Sequence, residues 1–403
     1  MGVLLVVLRR PDAVTNPQFW AEDGSRWFAD AYNMGASSLL QSYEGYLVTL
    51  PRLVAIPAVH LSLQHAALLF NLVAITIQVA PAALFMSRRF EHLAPRAWVR
   101  ALIGIVYLLV PSFELNAIIT NALWHLAILA VMVLVARPPA RLMTRAFDVT
   151  VIVLTGLTGP FAALLLPVAL ARARVLRSAR RWYLGVSTAL VATLLVQAWA
   201  VLHSHRDAAA SLGASVNNLL FLISDRVVLP ASFAEEAHTH VYTVGQSHGT
   251  LLAGLVAILA TAVVGLALVK SAGAVRIFLL FCFAITAASL LFPLNAGSST
   301  DPWTVLGTTG AGDRYFLSAE VAWLVCVIWV LSRLRRPIVR WGAGLVTAAC
   351  FASGLASQPQ YPPFADLHLA TYDAQLRAAA PGTVVVVPSN PSERWALELR
   401  RRR

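Results

Sequence analysis

The sequence predicts an all-α polytopic membrane protein with about nine to eleven transmembrane helices, and three observations lead there. Of its 403 residues 58% are hydrophobic and only 12% charged, with a mean hydropathy of +0.70, against about 45–50% apolar and about 25% charged in ordinary soluble domains. Several long stretches carry no charge, "TLLAGLVAILATAVVGLALV" at 250–269 among them, and about 20 apolar residues span the ~30 Å hydrocarbon core as a helix. Backbone amides have no water partner at that depth, so helices satisfy them internally.

The first ten residues, "MGVLLVVLRR", hold too short an apolar run for a secretory signal and lack a small-residue cleavage site. They read as the end of a first helix, either because the chain starts downstream of its true beginning or because that helix is unusually short. Residues 11–44 follow, polar and aromatic, punctuated by Gly24 and Gly35 before Gly45; they read as a loop of short interfacial helices. Apolar windows come next at 45–62, 67–86, 101–118, 119–136, 148–170, 184–203, 250–270, 276–293, 315–333 and 338–357. Residues 1–357 thus form one transmembrane domain with a first external loop at 11–44 and a large one at 204–249. The rest, 358–403, is a small extracytoplasmic tail in which "GTVVVVPSNP" reads as one strand and the closing "RRRR" as a solvated terminus.

The net charge of +12 does not point to nucleic acid, because the arginines gather in short loops between apolar windows, which is the pattern of topology. "ARARVLRSARR" (171–181) and "RLRRPIVR" (333–340) are the clearest cytoplasmic loops, and parity from them puts 11–44, 204–249 and the tail outside. Counting every window as a full span then puts the arginine-rich "SRRFEHLAPRAWVR" (87–100) and "RPPARLMTR" (137–145) outside too, against the rule. One repair lets 45–62 and 148–170 dip in and return, since Pro51, Pro57, Gly159 and Pro160 can break them. Cys282, Cys326 and Cys350 all lie in apolar windows and read as small buried hydrophobes.

The first loop carries the sharpest chemical signal. In "NPQFWAEDGSRWFADAYNMG" (16–35), Glu22 and Asp23 stand side by side among Trp20, Trp27 and Phe28. The plain role is a hydrated loop end or a helix cap; the sharper one is a catalytic base that takes a proton from a sugar hydroxyl. The aromatics suit either, as headgroup-level anchors or as faces for sugars.

That run, with "YEGYLVTLPRLVA" (43–55), "NALWHLAILAV" (121–131), "LTGPFAALLLPVAL" (157–170) and "GDRYFLSAEVAWL" (312–324), resembles an uncharacterised bacterial membrane family that is itself similar to the GT-C glycosyltransferases. The resemblance covers most of the chain and implies a GT-C-like fold, with an acidic residue in the first external loop acting as base or acceptor ligand. It also implies a sugar donor on a polyprenyl phosphate at the outer leaflet of a bacterial inner membrane, and an envelope glycan, lipid or protein as acceptor. Asp23, then Glu22, takes the catalytic position. Such a donor needs cations near its phosphate, and Arg314, with Tyr315 beside it, and Arg52 stand at external ends of predicted spans. The plainer roles of the two arginines are snorkelling, or pairing with Asp313 and Glu44 respectively. Trp20, Trp124 and His125 complete the expected substrate-binding group; a lone histidine on an apolar helix is more often a hydrogen-bonded core residue.

No cofactor is implied, and a divalent metal has no support: His203 and His205, then His238, His240 and His248, lack a recognised zinc spacing. Asp225, Arg226, Glu235 and Glu236 offer an acceptor groove or a merely solvated loop. No phosphate-cradling glycine motif is present, which argues against a nucleotide-sugar donor. A flippase of lipid-linked saccharides is one alternative, expected to carry mid-span charges and repeat symmetry. An envelope polysaccharide polymerase or ligase, with its site in 204–249, is the other.

Overall fold

The computed structural model describes residues 1–204, 211–234, 249–293, 301–307 and 312–401. It is 73% helix and 4% strand, so the chain is an all-α protein with a small β addition. Its main helices are α1 (Gly2–Arg9), α2 (Thr49–Ala58), α3 (Leu63–Met86), α4 (Ala97–Leu108), α5 (Ala122–Val135), α6 (Leu142–Leu157), α7 (Ala162–Val175), α8 (Arg180–Leu202), α9 (Val216–Ile223), α10 (Gly249–Lys270), α11 (Gly273–Leu291), α12 (Leu317–Arg333) and α13 (Pro337–Ser357). Among the described residues five helices are long and apolar enough to cross a membrane, those containing α3, α8, α10, α11 and α13.

At the centre lies α5. Its sequence, "ALWHLAILAVMVLV", is apolar on every side, as an enclosed helix must be, and every residue of it except Leu123 is buried. Around it pack α3, α6, α7 and α11.

Four of the apolar windows are not continuous helices. The window 45–62 holds only the ten residues of α2, about 15 Å long, too short to cross about 30 Å of hydrocarbon. Its start is tied to the end of α6: the Thr49 hydroxyl donates to the Leu157 carbonyl at 2.7 Å, and the Leu50 amide donates to the Thr158 hydroxyl at 3.0 Å. The windows 101–118 and 119–136 become α4 and α5 with an irregular segment at 109–121 between them. That backbone is satisfied by side chains from elsewhere: Arg10 donates to Asn116 O at 2.7 Å, Gln78 accepts from the Ala117 amide at 3.1 Å, and the Tyr361 hydroxyl accepts from the Ser112 amide at 2.8 Å. Irregular backbone survives in apolar surroundings only with such partners.

The window 148–170 breaks at Thr158–Phe161, where Gly159 takes φ +113, a conformation glycine adopts without a Cβ penalty. The Gln197 amide closes the gap by donating to the carbonyls of Leu47, Gly156 and Gly159 at 3.1–3.3 Å. The helices α6 and α7 therefore form a hairpin whose two feet share one end of the bundle. There Arg89 donates two 2.7 Å bonds to Asp148 and one to the Arg137 carbonyl, while Arg172 donates to the carbonyls of Leu134, Val135 and Ala136. This corrects the count that treats each window as a crossing. The arginine-rich segments 87–100, 137–145 and 171–181 gather at one end, because 45–62 does not cross and 148–170 returns.

The tail folds as α14 (Leu369–Ala378) and an antiparallel pair, β1 (Val384–Val387) with β2 (Leu397–Arg400), Val384 opposite Arg400. The expected strand is β1; its partner carried no comparable β-branched signal. This cap sits on the first loop. Trp20 stacks on Phe364 at 4.6 Å, the Ala21 amide donates to Asn390 O at 2.6 Å, and Asn33 bonds both Glu398 O and the Arg400 amide along β2. Arg400 is exposed, and the last two arginines lie outside the described residues.

Candidate functional site

Opposite the arginine-rich end, four short segments meet: 20–28, 43–46, 113–121 and 312–315. Asp23–Phe28 is a π turn, a form that often accompanies function. Residues four apart stay on one side of it, so Asp23 and Trp27 reach the same partner. The Thr120 amide donates to Asp23 Oδ1 at 2.9 Å, the Thr120 hydroxyl donates to the same oxygen at 2.5 Å, and the Trp27 indole donates to Thr120 Oγ1 at 2.8 Å. Three non-glycine residues within these segments take left-handed conformations, Ala21 at φ +42, Glu44 at +51 and Ala117 at +58. Such strain, about 1–3 kcal/mol each, collects where surrounding structure must hold a functional arrangement.

Asp23 is 1% exposed, and burial drives its carboxyl from the usual range up to about 7. The two Thr120 bonds and the Arg10 charge pull it down, while the neighbouring Glu22 pushes it up. Glu22 is half-buried and accepts from the Tyr43 hydroxyl at 3.1 Å. Burial and the Glu22 charge raise Tyr43 well above its ordinary value, so that phenol stays protonated and donates. Arg10 is lowered by burial to about 10, which still leaves it charged at neutral pH.

From Thr120 the network continues. The side chain of the next residue, Asn121, donates to the Glu114 carbonyl at 2.7 Å, and the Glu114 carboxylate accepts from Arg314 at 2.9 Å. Burial alone would lower the Arg314 pKa, but Tyr315, Glu114 and Glu22 around it raise the net value well above normal. Its side chain remains 27% exposed, with donors beyond those given to Glu114 and to the Tyr315 hydroxyl. Trp20 closes one wall edge-on to Phe113 at 5.3 Å, and Trp124 closes another edge-on to Tyr315 at 5.5 Å.

The structure thus brings together Glu22, Asp23, Arg314, Tyr315, Trp20 and Trp124. It does not bring in Arg52 or His125. Arg52 is buried behind Trp27, its guanidinium 4.9 Å from that ring and 2.9 Å from Asp30, so its charge is met by Asp30 rather than Glu44 and it does not face the Arg314 group. The His125 ring is joined to the Tyr107 hydroxyl at 2.6 Å; its place one residue after Trp124 turns it to a different side of α5. Arg314 pairs with Glu114 and not with its neighbour Asp313, which bonds Arg226 at 2.5 Å.

Glu114, Thr120 and Tyr43 are site residues that sequence reasoning passes over. A signal exists for Glu114, since a carboxylate inside an apolar window is itself a functional flag; Thr120 has none. Of the second acidic loop, Asp225 accepts from Ser224 at 3.0 Å, and Glu235 and Glu236 lie outside the described residues. So do His205, His238, His240 and His248, while His203 bonds the Trp199 carbonyl. Among the described residues no group of three or more His, Cys, Asp and Glu is placed to hold a metal ion.

The chain matches no protein-family model, no curated protein and no solved structure.

Proposed function

We propose that the protein is a membrane glycosyltransferase of GT-C-like design. It moves a sugar from a polyprenyl-phosphate donor to an envelope glycan, lipid or protein acceptor on the outer side of a bacterial plasma membrane. The observation that carries this reading is that one aromatic-walled cluster holds both a buried carboxyl raised to about 7, Asp23, and a partly open guanidinium, Arg314, each acted on by Glu22. A carboxyl with that pKa suits proton abstraction near neutral pH. A guanidinium suits a departing phosphate, whose charge grows as the glycosidic bond breaks. The sidedness follows from the arginine-rich turns at the far end, which the positive-inside rule assigns to the cytoplasm.

In the reaction, Asp23 takes the proton of the acceptor hydroxyl as its oxygen attacks the anomeric carbon. The bond from that carbon to the phosphate oxygen breaks on the opposite side, and the polyprenyl phosphate leaves with the electron pair toward Arg314. Configuration inverts. Glu22, held by Tyr43, orients the acceptor, and Trp20, Trp124 and Tyr315 supply faces for the sugar rings.

The test is transfer of labelled sugar from a polyprenyl-phosphate donor to an envelope acceptor fraction by the purified chain. Asp23→Asn is expected to lower transfer by about 10²–10⁴-fold and Glu22→Gln to weaken it less. Full activity in Asp23→Asn, with normal membrane insertion, overturns the assignment of the base, and full activity in both variants removes the acidic pair from the reaction. Equal movement of intact lipid-linked sugar across vesicles without transfer favours the flippase instead.

A further inference from the structure

Among the described residues, the carboxyl of Asp23 is held by only one of its oxygens. Both donors of Thr120, its amide at 2.9 Å and its hydroxyl at 2.5 Å, converge on Oδ1. The direction of the second bond does not depend on seeing hydrogens. An indole N–H only donates, so at the 2.8 Å contact with Trp27 the Thr120 oxygen accepts, and its single proton is left for Asp23. Oδ2 accepts no hydrogen bond from the described residues, and it is not among the sealed polar atoms that lack a partner. The small surface Asp23 retains therefore includes that oxygen.

Behind this contact the chain of supports continues. Arg52 lies over the Trp27 ring at 4.9 Å and is fixed by Asp30 at 2.9 Å, and Trp27 also meets Tyr43 edge-on at 5.2 Å. The charged and titratable groups that act on Asp23 are Glu22 beside it and Arg10 from the end of α1, with Tyr43 on Glu22 and the Arg314–Glu114 pair beyond.

We propose that Thr120 is a positioning residue, set by Trp27 and, behind it, by Arg52, that occupies Oδ1 of Asp23 and leaves Oδ2 as the oxygen that takes the acceptor's proton. This rests on Asp23 being the base. The acceptor O–H bond breaks, its proton goes to Oδ2, and its electron pair forms the new bond to the anomeric carbon. The bond to phosphate breaks with its pair on the leaving oxygen. Arg52, expected from sequence to hold the phosphate, here steadies the ring that steadies Thr120.

The experiment is an infrared pH titration of the full chain in detergent, with the Asp23 band identified by its loss in Asp23→Asn. Thr120→Val keeps the shape and removes the hydroxyl bond to the ionised form, so the midpoint should rise by about one to two pH units. Thr120→Ser should restore it. Trp27→Phe, which keeps a ring but frees the hydroxyl, should raise it by less, and it serves as the test if Thr120→Val does not fold. A midpoint equal to the wild type in Thr120→Val, or in Trp27→Phe where only that variant folds, overturns the proposal. The titration needs no substrate, so it is separable from the transferase reading: sugar transfer retained by Asp23→Asn overturns the proton step, whereas the infrared midpoints decide the positioning. Where transfer is present, its acidic limb should move upward with the midpoint in Thr120→Val.

Discussion

At the arginine-rich end, Arg100 donates to the carbonyls of Met86, Ala94 and Pro95, Arg172 to those of Leu134, Val135 and Ala136, and Arg89 to Arg137 O and the buried Asp148. At the opposite end, Arg10, Arg52, Arg226 and Arg314 each pair with a carboxylate, Asp12, Asp30, Asp313 and Glu114. Each also meets one aromatic ring, Phe364, Trp27, Phe316 and Tyr315. The first set takes up carbonyls at helix ends, where the last ones have no helical partner, and in the turns beside them. The second clamps irregular segments around a carboxyl, with charge matched pair by pair. The same residue type therefore serves stability at one end and a preorganised electrostatic site at the other.

The largest expected effect separates the ends by activity. Asp23→Asn should lower sugar transfer by about 10²–10⁴-fold, the range for loss of a general base, measured with labelled donor. Next, Arg89→Ala should destabilise the fold by about 3–5 kcal/mol in detergent unfolding, because it leaves Asp148 buried without its cation. The double variant Arg89→Met with Asp148→Leu should recover most of that. A double variant as unstable as the single one would mean the pair is not the source.

Arg314→Ala should reduce turnover by about 10²–10³-fold, the scale for loss of one charge-stabilising donor, with little change in unfolding. A large stability loss without a kinetic one would make Arg314 a clamp like Arg226. An effect of similar size concerns pH. Because the Asp23 pKa is raised in the folded state, the fold binds more protons than the unfolded chain between about 4 and 7, and stability falls as pH rises through that window. Asp23→Asn should remove about 4 kcal/mol of that fall, the shift from 3.8 to about 7 at ~1.4 kcal/mol per unit, and parallel wild-type and variant curves would show that Asp23 titrates normally. Smallest of all, Arg177→Ala, on the arginine-rich turn, should change stability by no more than about 0.5 kcal/mol and leave transfer intact.

Some of this was legible in the sequence. Charge-free windows such as 250–269 announce helices because hydrocarbon admits no other backbone, and α10 occupies that place. The β-branched run at 384–387 announces a strand. The window 101–118 misleads because an average over apolar residues does not register a break whose backbone is satisfied by Arg10 or Gln78 from far along the chain; in 148–170 Gly159 and Pro160 signal the break, and Gln197 holds it. Likewise, Glu22 and Asp23 stand out as an acidic pair, but their difference in burial does not, since it depends on Thr120, nearly a hundred residues away, closing over one of them.

The sequence by itself determined the helical class, the apolar spans, the clustering of arginines in turns and the acidic aromatic loop, because each follows from local composition and the solvent it must face. Only the tertiary structure decided that the 148–170 window doubles back and that Arg314 rather than Arg52 joins the acidic pair. It alone distinguished Asp23 from Glu22. Those outcomes depend on which distant donors and charges reach a given atom, and burial magnifies each such contact.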